Sequence, residues 1–320
     1  MRAIVIDQLG AAPRLAEGWP EPEAGPGELL VRVRGCGLNF ADLLMIEGKY
    51  QEKQEPPFIP GLEIAGEVVA VGQGVQGWAP GQRVAAFAGR AGLAELAAVP
   101  AARCVAVPEG MELTTAAGFQ VAYGTSHLAL TDAARLQPGE TLVVTGAAGG
   151  VGLTAVEIGR LMGARVVAVA RGRAKLEVAE AAGAEHLIDS ETEDLRGALK
   201  ALGGADVVYD AVGGAGFMAA LRGTRPGGRL LVIGFAGGEV PQIPANLLLV
   251  KNVSVIGFYW GGYFGFAPEK LTGSLAELMG WYAAGRLRPH LSHVLPLERT
   301  AEGLELLRSR RSTGKVVIGI

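Results

Sequence analysis

The chain has 320 residues, 49% hydrophobic and 19% charged, with a formal net charge of −3. That hydrophobic share supports a large core and excludes disorder. Two cysteines, Cys36 and Cys104, are too few for a disulfide scaffold or a cysteine-rich zinc fold. With 29 Lys and Arg against 32 Asp and Glu, the basic footprint of a nucleic-acid binder is not expected.

The first ten residues lack the apolar run and cleavage site of a signal peptide, and no stretch of about 18 apolar residues occurs. A cytoplasmic protein without a membrane span is therefore expected. Up to about Val107 the chain reads as short strands, at residues 2–7, 28–34, 64–71 and 82–88. Pro-Gly pairs at Pro26–Gly27, Pro60–Gly61 and Pro80–Gly81 punctuate them. This spacing predicts a small antiparallel barrel. Residues 114–130 read as one helix with Thr114 or Thr115 as N-cap.

From there strands and helices alternate. Strands are expected at Thr141–Thr145, Arg165–Ala170, His186–Asp189 and residues 206–209, 228–233 and 253–258. Helices are expected at residues 150–162, 175–182, 195–202 and 217–221. Nearly continuous apolar strands between helices predict an α/β chain with a Rossmann doubly wound parallel sheet. Residues 271–284 and Thr300–Arg308 read as amphipathic helices. Residues 315–320 read as a last strand returning to the N-terminal barrel. The expected division is one domain of residues 1–115, completed by about 265–320, and a second of residues 116–264.

The strongest site signal is the run Thr145-Gly146-Ala147-Ala148-Gly149-Gly150-Val151-Gly152, which follows a strand and opens a helix. Small residues let the backbone approach a pyrophosphate, and the helix N-terminus supplies free N–H groups and a positive dipole end. Gly146, Ala148, Gly149, Gly150, Val151 and Gly152 are the candidate contacts. NAD-binding folds place an acid after the next strand to hold the ribose 2′-OH. Residues 171–175 instead carry Arg171, Arg173 and Lys175 and no acid, which favours the 2′-phosphate of NADPH, unless these cations form a solvated helix start. Val212 and Gly213, then Gly234 and Phe235, follow strand ends at the carboxyl edge of the sheet, where such folds bind ligands.

Taken together, GLNFADLLMIEGKY, PGLEIAGEV, VTGAAGGVG, VVYDAVGG and STGKVVI resemble the zeta-crystallin-like quinone oxidoreductases, in the zinc-independent branch of the medium-chain dehydrogenase/reductase superfamily. The resemblance spans essentially the whole chain and implies a GroES-like antiparallel β-barrel domain beside the Rossmann domain. Zinc-dependent relatives carry Cys where Asn39 stands and His where Leu62 stands. Neither Asn nor Leu can be a thiolate or imidazole ligand, so no metal is expected. Without a Lewis acid, hydride addition suits conjugated acceptors, which yield a delocalised anion. The resemblance thus implies NADPH-dependent reduction of quinones or other α,β-unsaturated carbonyls in the interdomain cleft.

It also places Asn39 beside the nicotinamide and Tyr50 in the substrate pocket, each a possible hydrogen-bond donor, with Asp42 orienting the first loop. Thr125, Phe258 and Tyr259 are implied at the carboxamide. Arg310 or Arg311 and Lys315 are set towards the 2′-phosphate, or in a solvated charge run. A homodimer joined edge to edge through the last Rossmann strand is implied as well. The alternatives are a 2-enoyl-thioester reductase and, from another class, an NADPH-binding structural or RNA-binding crystallin-like protein.

Overall fold

The computed structural model describes residues 1–320. The chain divides into two compact units, Ala122–Ser274, and Met1–Val121 with Leu275–Ile320. These divisions differ from the expected ones at 115/116 and 264/265. Both changes fall further along, inside the helices Gln120–Leu128 and Pro268–Ala283, where composition does not shift.

Ala122–Ser274 holds a six-stranded sheet, entirely parallel. Its order is His186–Asp189, Arg165–Ala170, Thr141–Thr145, Ala205–Asp210, Thr224–Val232 and Ser254–Gly257. Thr141–Thr145 and Ala205–Asp210 are buried along their whole length, as expected for parallel strands covered on both faces. Val143, Val167, Val208, Phe217, Leu221 and Leu230 share one core. Burying each large side chain of this kind stabilises the fold by about 1.5–3 kcal/mol. From the first strand, Thr141–Thr145, the chain winds outward to one side and then crosses to the other. The switch point therefore lies between Thr141–Thr145 and Ala205–Asp210.

The other unit carries a sheet in the order Leu291–Pro296, Lys315–Gly319, Glu28–Leu38, Glu63–Val71, Arg83–Phe87 and Cys104–Ala106, with Leu96–Pro100 also on Glu28–Leu38. Glu28–Leu38 is long enough to serve three neighbours. Its first half pairs Leu96–Pro100 and its second half pairs Lys315–Gly319, so the last strand does return to this sheet. All pairs are antiparallel except Leu291–Pro296 with Lys315–Gly319. That parallel pair encloses the helix Thr300–Arg308, the crossover a parallel connection requires.

The single helix expected over residues 114–130 is two, Leu113–Ala117 and Gln120–Leu128. Glu112 is the N-cap of the first, so Thr114 and Thr115 lie within it rather than before it. Gly118 ends the first helix where the chain passes close to the last strand. A Cβ there would lie 3.1 Å from Val317 Cγ2.

Candidate active site

In the parallel unit the site begins at the end of Thr141–Thr145. Gly146 takes φ +63°, and the N–H of Ala147 bonds to the Val169 carbonyl at 3.1 Å, tying the loop to the next strand. Gly149 is the N-cap of the helix Gly150–Leu161, and no side chain caps that end. The first-turn N–H groups of Gly150, Val151 and Gly152 are thus left facing whatever anion the loop receives. A Cβ on Gly152 would lie 2.2 Å from the Gly146 carbonyl oxygen, so the turn closes only around glycine. Ala148, 2% exposed, packs with Ala170 and Leu176 beneath it.

Asp210, which the sequence reading passed over, organises the opposite side of the switch point. It is fully buried at the end of Ala205–Asp210. Its carboxylate accepts from the Thr145 hydroxyl and, at 2.8 Å, from the Gly213 N–H. Burial raises its pKa, and those donors oppose the shift. The Gly234 N–H reaches the Asp210 carbonyl at 3.4 Å, and the Gly237 N–H reaches the Val212 carbonyl at 2.8 Å. A Cβ on Gly146 would meet Val212 Cγ2 at 3.0 Å, and one on Gly213 would meet Phe235 Cδ1 at 3.1 Å. The structure therefore brings Gly146, Val212, Gly213, Gly234 and Phe235 together.

The cation corner is more mixed than the sequence suggests. Arg171 is exposed and has no partner in the chain. Arg173 is spent on its own helix, on Glu177 at 3.0 Å and Glu180 at 3.5 Å. Lys175 is half-buried. An acid does border the corner. Asp189, from the neighbouring strand end, accepts the N–H of Gly172 at 3.1 Å. Bonds from the Glu191 and Gly172 N–H groups hold its carboxyl below the usual range, hence ionised.

Thr125 is 7% exposed and its hydroxyl makes no bond to the chain, not even back to its own helix. The next residue anchors that helix. Ser126 bonds to the Val151 carbonyl at 2.9 Å, Thr154 at 2.8 Å and Tyr209 at 3.1 Å. Phe258 is buried against the Tyr263 ring, while Tyr259 is 37% exposed.

In the antiparallel unit a buried charged cluster forms around Asn39. Asn39 follows Glu28–Leu38 and is the N-cap of the helix Phe40–Ile46, and its N–H donates to Asp42 Oδ2 at 2.7 Å. Its side-chain Nδ2 donates to the Gly37 carbonyl at 3.1 Å and to Glu63 Oε1 at 3.0 Å. Its Oδ1 accepts from Lys315 Nζ at 2.7 Å. Lys315 also donates to the Leu38 carbonyl at 2.8 Å and to Glu63 Oε1 at 2.7 Å, while Glu63 Oε2 accepts the Val121 N–H at 2.9 Å. The Glu63 and Lys315 side chains are 1% and 7% exposed. Burial pushes the Asp42 carboxyl up to about 7, against the Asn39 N–H and the Lys315 charge, while Glu63 adds to the rise.

Two expectations are corrected by this geometry. Lys315 does not extend towards a phosphate, because its three protons are taken by three acceptors beside it. Asn39 is not a free donor, because both amide hydrogens are already donated within the cluster. Tyr50 is 9% exposed just beyond Phe40–Ile46, and Arg310 sits in a left-handed turn after Thr300–Arg308. Glu63 went unassigned in the sequence reading. The available signal was an acid at the start of one apolar strand, matched by a lysine at the start of another.

Comparison with known proteins agrees with this architecture. The alcohol dehydrogenase GroES-like domain matches residues 25–109, and the zinc-binding dehydrogenase family matches residues 150–279. A quinone oxidoreductase-like protein 2 homolog of Nematostella vectensis is 39% identical, over 99% of this chain and 88% of that protein. The chain belongs to the quinone oxidoreductase-like family of the medium-chain dehydrogenase/reductase superfamily. Among solved structures, the quinone oxidoreductase of Thermus thermophilus, described also in complex with NADPH, is 36% identical with TM-score 0.88, covering all of both chains. A mycobacterial protein solved with NADPH is 28% identical with TM-score 0.94, again over all of both chains.

A zinc ion, which the matched family's description implies, does not fit the residues of this member. Leu62 offers no donor, and the Asn39 amide is engaged on both sides. The Lys315 ammonium already lies between Asn39 Oδ1 and Glu63 Oε1. No three His, Cys, Asp or Glu side chains converge elsewhere in the chain. A dinucleotide does fit, because the Gly146–Gly152 cradle is one that a single Cβ would fill.

Proposed function

We propose that this protein is an NADPH-dependent reductase of quinones or other α,β-unsaturated carbonyls that works without zinc. The observation carrying the reading is the uncapped helix N-terminus behind Gly146 and Gly152, at the switch point of a parallel sheet. The nicotinamide of NADPH supplies hydride when bound. The chain receives the pyrophosphate on the N–H groups of Gly150, Val151 and Gly152, and Arg171 is the cation open to a 2′-phosphate. Tyr50 remains the candidate donor to the developing anion, and Asn39 acts through its place in the cluster. The NADPH complexes of two structural relatives support the cofactor, and the name shared by the curated relatives supports the acceptor class.

The pair state belongs to the same reading. Ser254–Gly257 is an unpaired sheet edge, and Val240, Ile243, Leu249 and Val250 near it in sequence are four of the eight exposed large hydrophobic side chains. A second copy pairing along this edge would satisfy both features.

The test is NADPH oxidation by chelator-treated protein with 1,4-benzoquinone, 9,10-phenanthrenequinone, simple enones and crotonyl-CoA. Turnover of quinones or enones is expected. Turnover of crotonyl-CoA alone would make it an enoyl-thioester reductase. Tight NADPH binding with no turnover of any acceptor would overturn the reductase reading.

A further inference from the structure

We infer that Lys315 is a positioning residue, an internal cation that latches the Asn39 side chain in one orientation by pairing with Glu63. A primary amide can rotate to exchange its oxygen and nitrogen. Here the acceptor end faces the ammonium at 2.7 Å, and the donor end faces the Glu63 carboxylate at 3.0 Å and the Gly37 carbonyl at 3.1 Å. A flipped amide would turn NH2 towards an ammonium and oxygen towards a carboxylate, two like-charged contacts in a buried setting. The same ammonium donates to the carbonyl of Leu38, so it holds the backbone entering Asn39 as well as its side chain.

Sheet register puts Lys315 there. Val316 stands opposite Leu38, which sets the preceding Lys315 beside Asn39. Glu63 is held from its other oxygen by the Val121 N–H at 2.9 Å, and Gly37 leaves the room it needs. A Cβ on Gly37 would lie 2.8 Å from Glu63 Oε1. The cluster thus gathers the start of the last strand, Lys315–Gly319, the second half of Glu28–Leu38 and the start of Glu63–Val71 onto one amide. The functional consequence rests on the reductase reading: the pair orients Asn39, and Asn39 in turn shapes the site.

The experiment has one arm that needs no activity. Asn39, Asn246 and Asn252 are the three asparagines of the chain, and the latter two are exposed. In protein labelled with 15N-asparagine, the Asn39 side-chain pair, assigned by its loss in Asn39→Asp, should exchange with water more slowly than the other two. Exchange as fast as that of Asn246 and Asn252 in the unmodified protein would overturn the latch, whatever the protein catalyses. The second arm is the charge-balanced double variant Lys315→Met with Glu63→Gln. Its Asn39 signals should move and exchange faster. In the quinone assay kcat should fall roughly tenfold or more, while the Kd for NADPH stays within about twofold. A folded double variant with unchanged Asn39 signals, or with unchanged kcat in a protein that does turn over quinones, would also overturn it.

Discussion

The Thr145 hydroxyl and the Asp210 carboxylate are hydrogen bonded across adjacent parallel strands, each at the last residue of its strand. Asp210 also holds the Gly213 N–H, so one buried carboxylate clasps the loop that begins at Gly146 to the loop that carries Val212 and Gly213. Asp210→Ala should weaken NADPH binding about tenfold while the protein stays folded, the loss expected when hydrogen bonds worth about 1–1.5 kcal/mol no longer hold a loop. Fluorescence titration with NADPH, alongside circular dichroism, measures both. Undiminished affinity would show that the two loops need no clasp.

The cation corner makes a cofactor prediction. Arg171 has no partner, whereas Arg173 is engaged by Glu177 and Glu180. Arg171→Ala should therefore raise the KM for NADPH by about tenfold, more than Arg173→Ala does, and should leave NADH almost unaffected. Equal losses for both cofactors would place the 2′-phosphate elsewhere.

Asp42 couples the Asn39 cluster to pH. Its ordinary pKa of 3.8 is raised to about 7 on folding, with Lys315, Glu63 and Cys36 as its charged or titratable neighbours. Between those values the folded protein binds a proton that the unfolded chain does not. Asp42 therefore makes stability fall as pH rises from about 4 to about 7, with no further change above, by an amount on the order of 4 kcal/mol. Asp42→Asn should remove that slope. Urea unfolding at pH 5 and pH 8 on both proteins decides it, and parallel behaviour of the two would refute the assignment.

Edge pairing of Ser254–Gly257 predicts a dimer that fails when its apolar flank is charged. Leu249→Asp together with Val250→Asp should sediment as a monomer where the unmodified protein sediments as a dimer. These side chains are 75% and 69% exposed in the single chain, so the substitutions should cost the folded monomer about 0.5 kcal/mol or less. A dimer that survives them would place the interface on another face.

Much of the parallel unit was legible from local pattern. Apolar runs such as Thr141–Thr145 and Arg165–Ala170, each followed by a helix, reveal a covered parallel sheet without any knowledge of distant contacts. The glycines at 146, 149 and 152 marked the phosphate loop because steric room is a property of the residue itself. The two-helix break at Gly118 and the strand Leu291–Pro296 were not legible. The first answers to the close approach of the last strand, and the second exists through pairing with it.

The candidate chemistry divides in the same way. That Asn39 and Leu62 cannot ligate zinc follows from their side chains alone. That Asn39 has no hydrogen to spare, and that Lys315 faces inward rather than towards a phosphate, follows from their meeting at Glu63, which lies 24 residues from one and 252 from the other in the chain. A charge within an apolar strand announces that it needs a partner, since an unpaired buried charge is too costly to keep. Which partner it meets depends on the register of strands whose order no local pattern contains. Val316 opposite Leu38 is the pairing that settles it here.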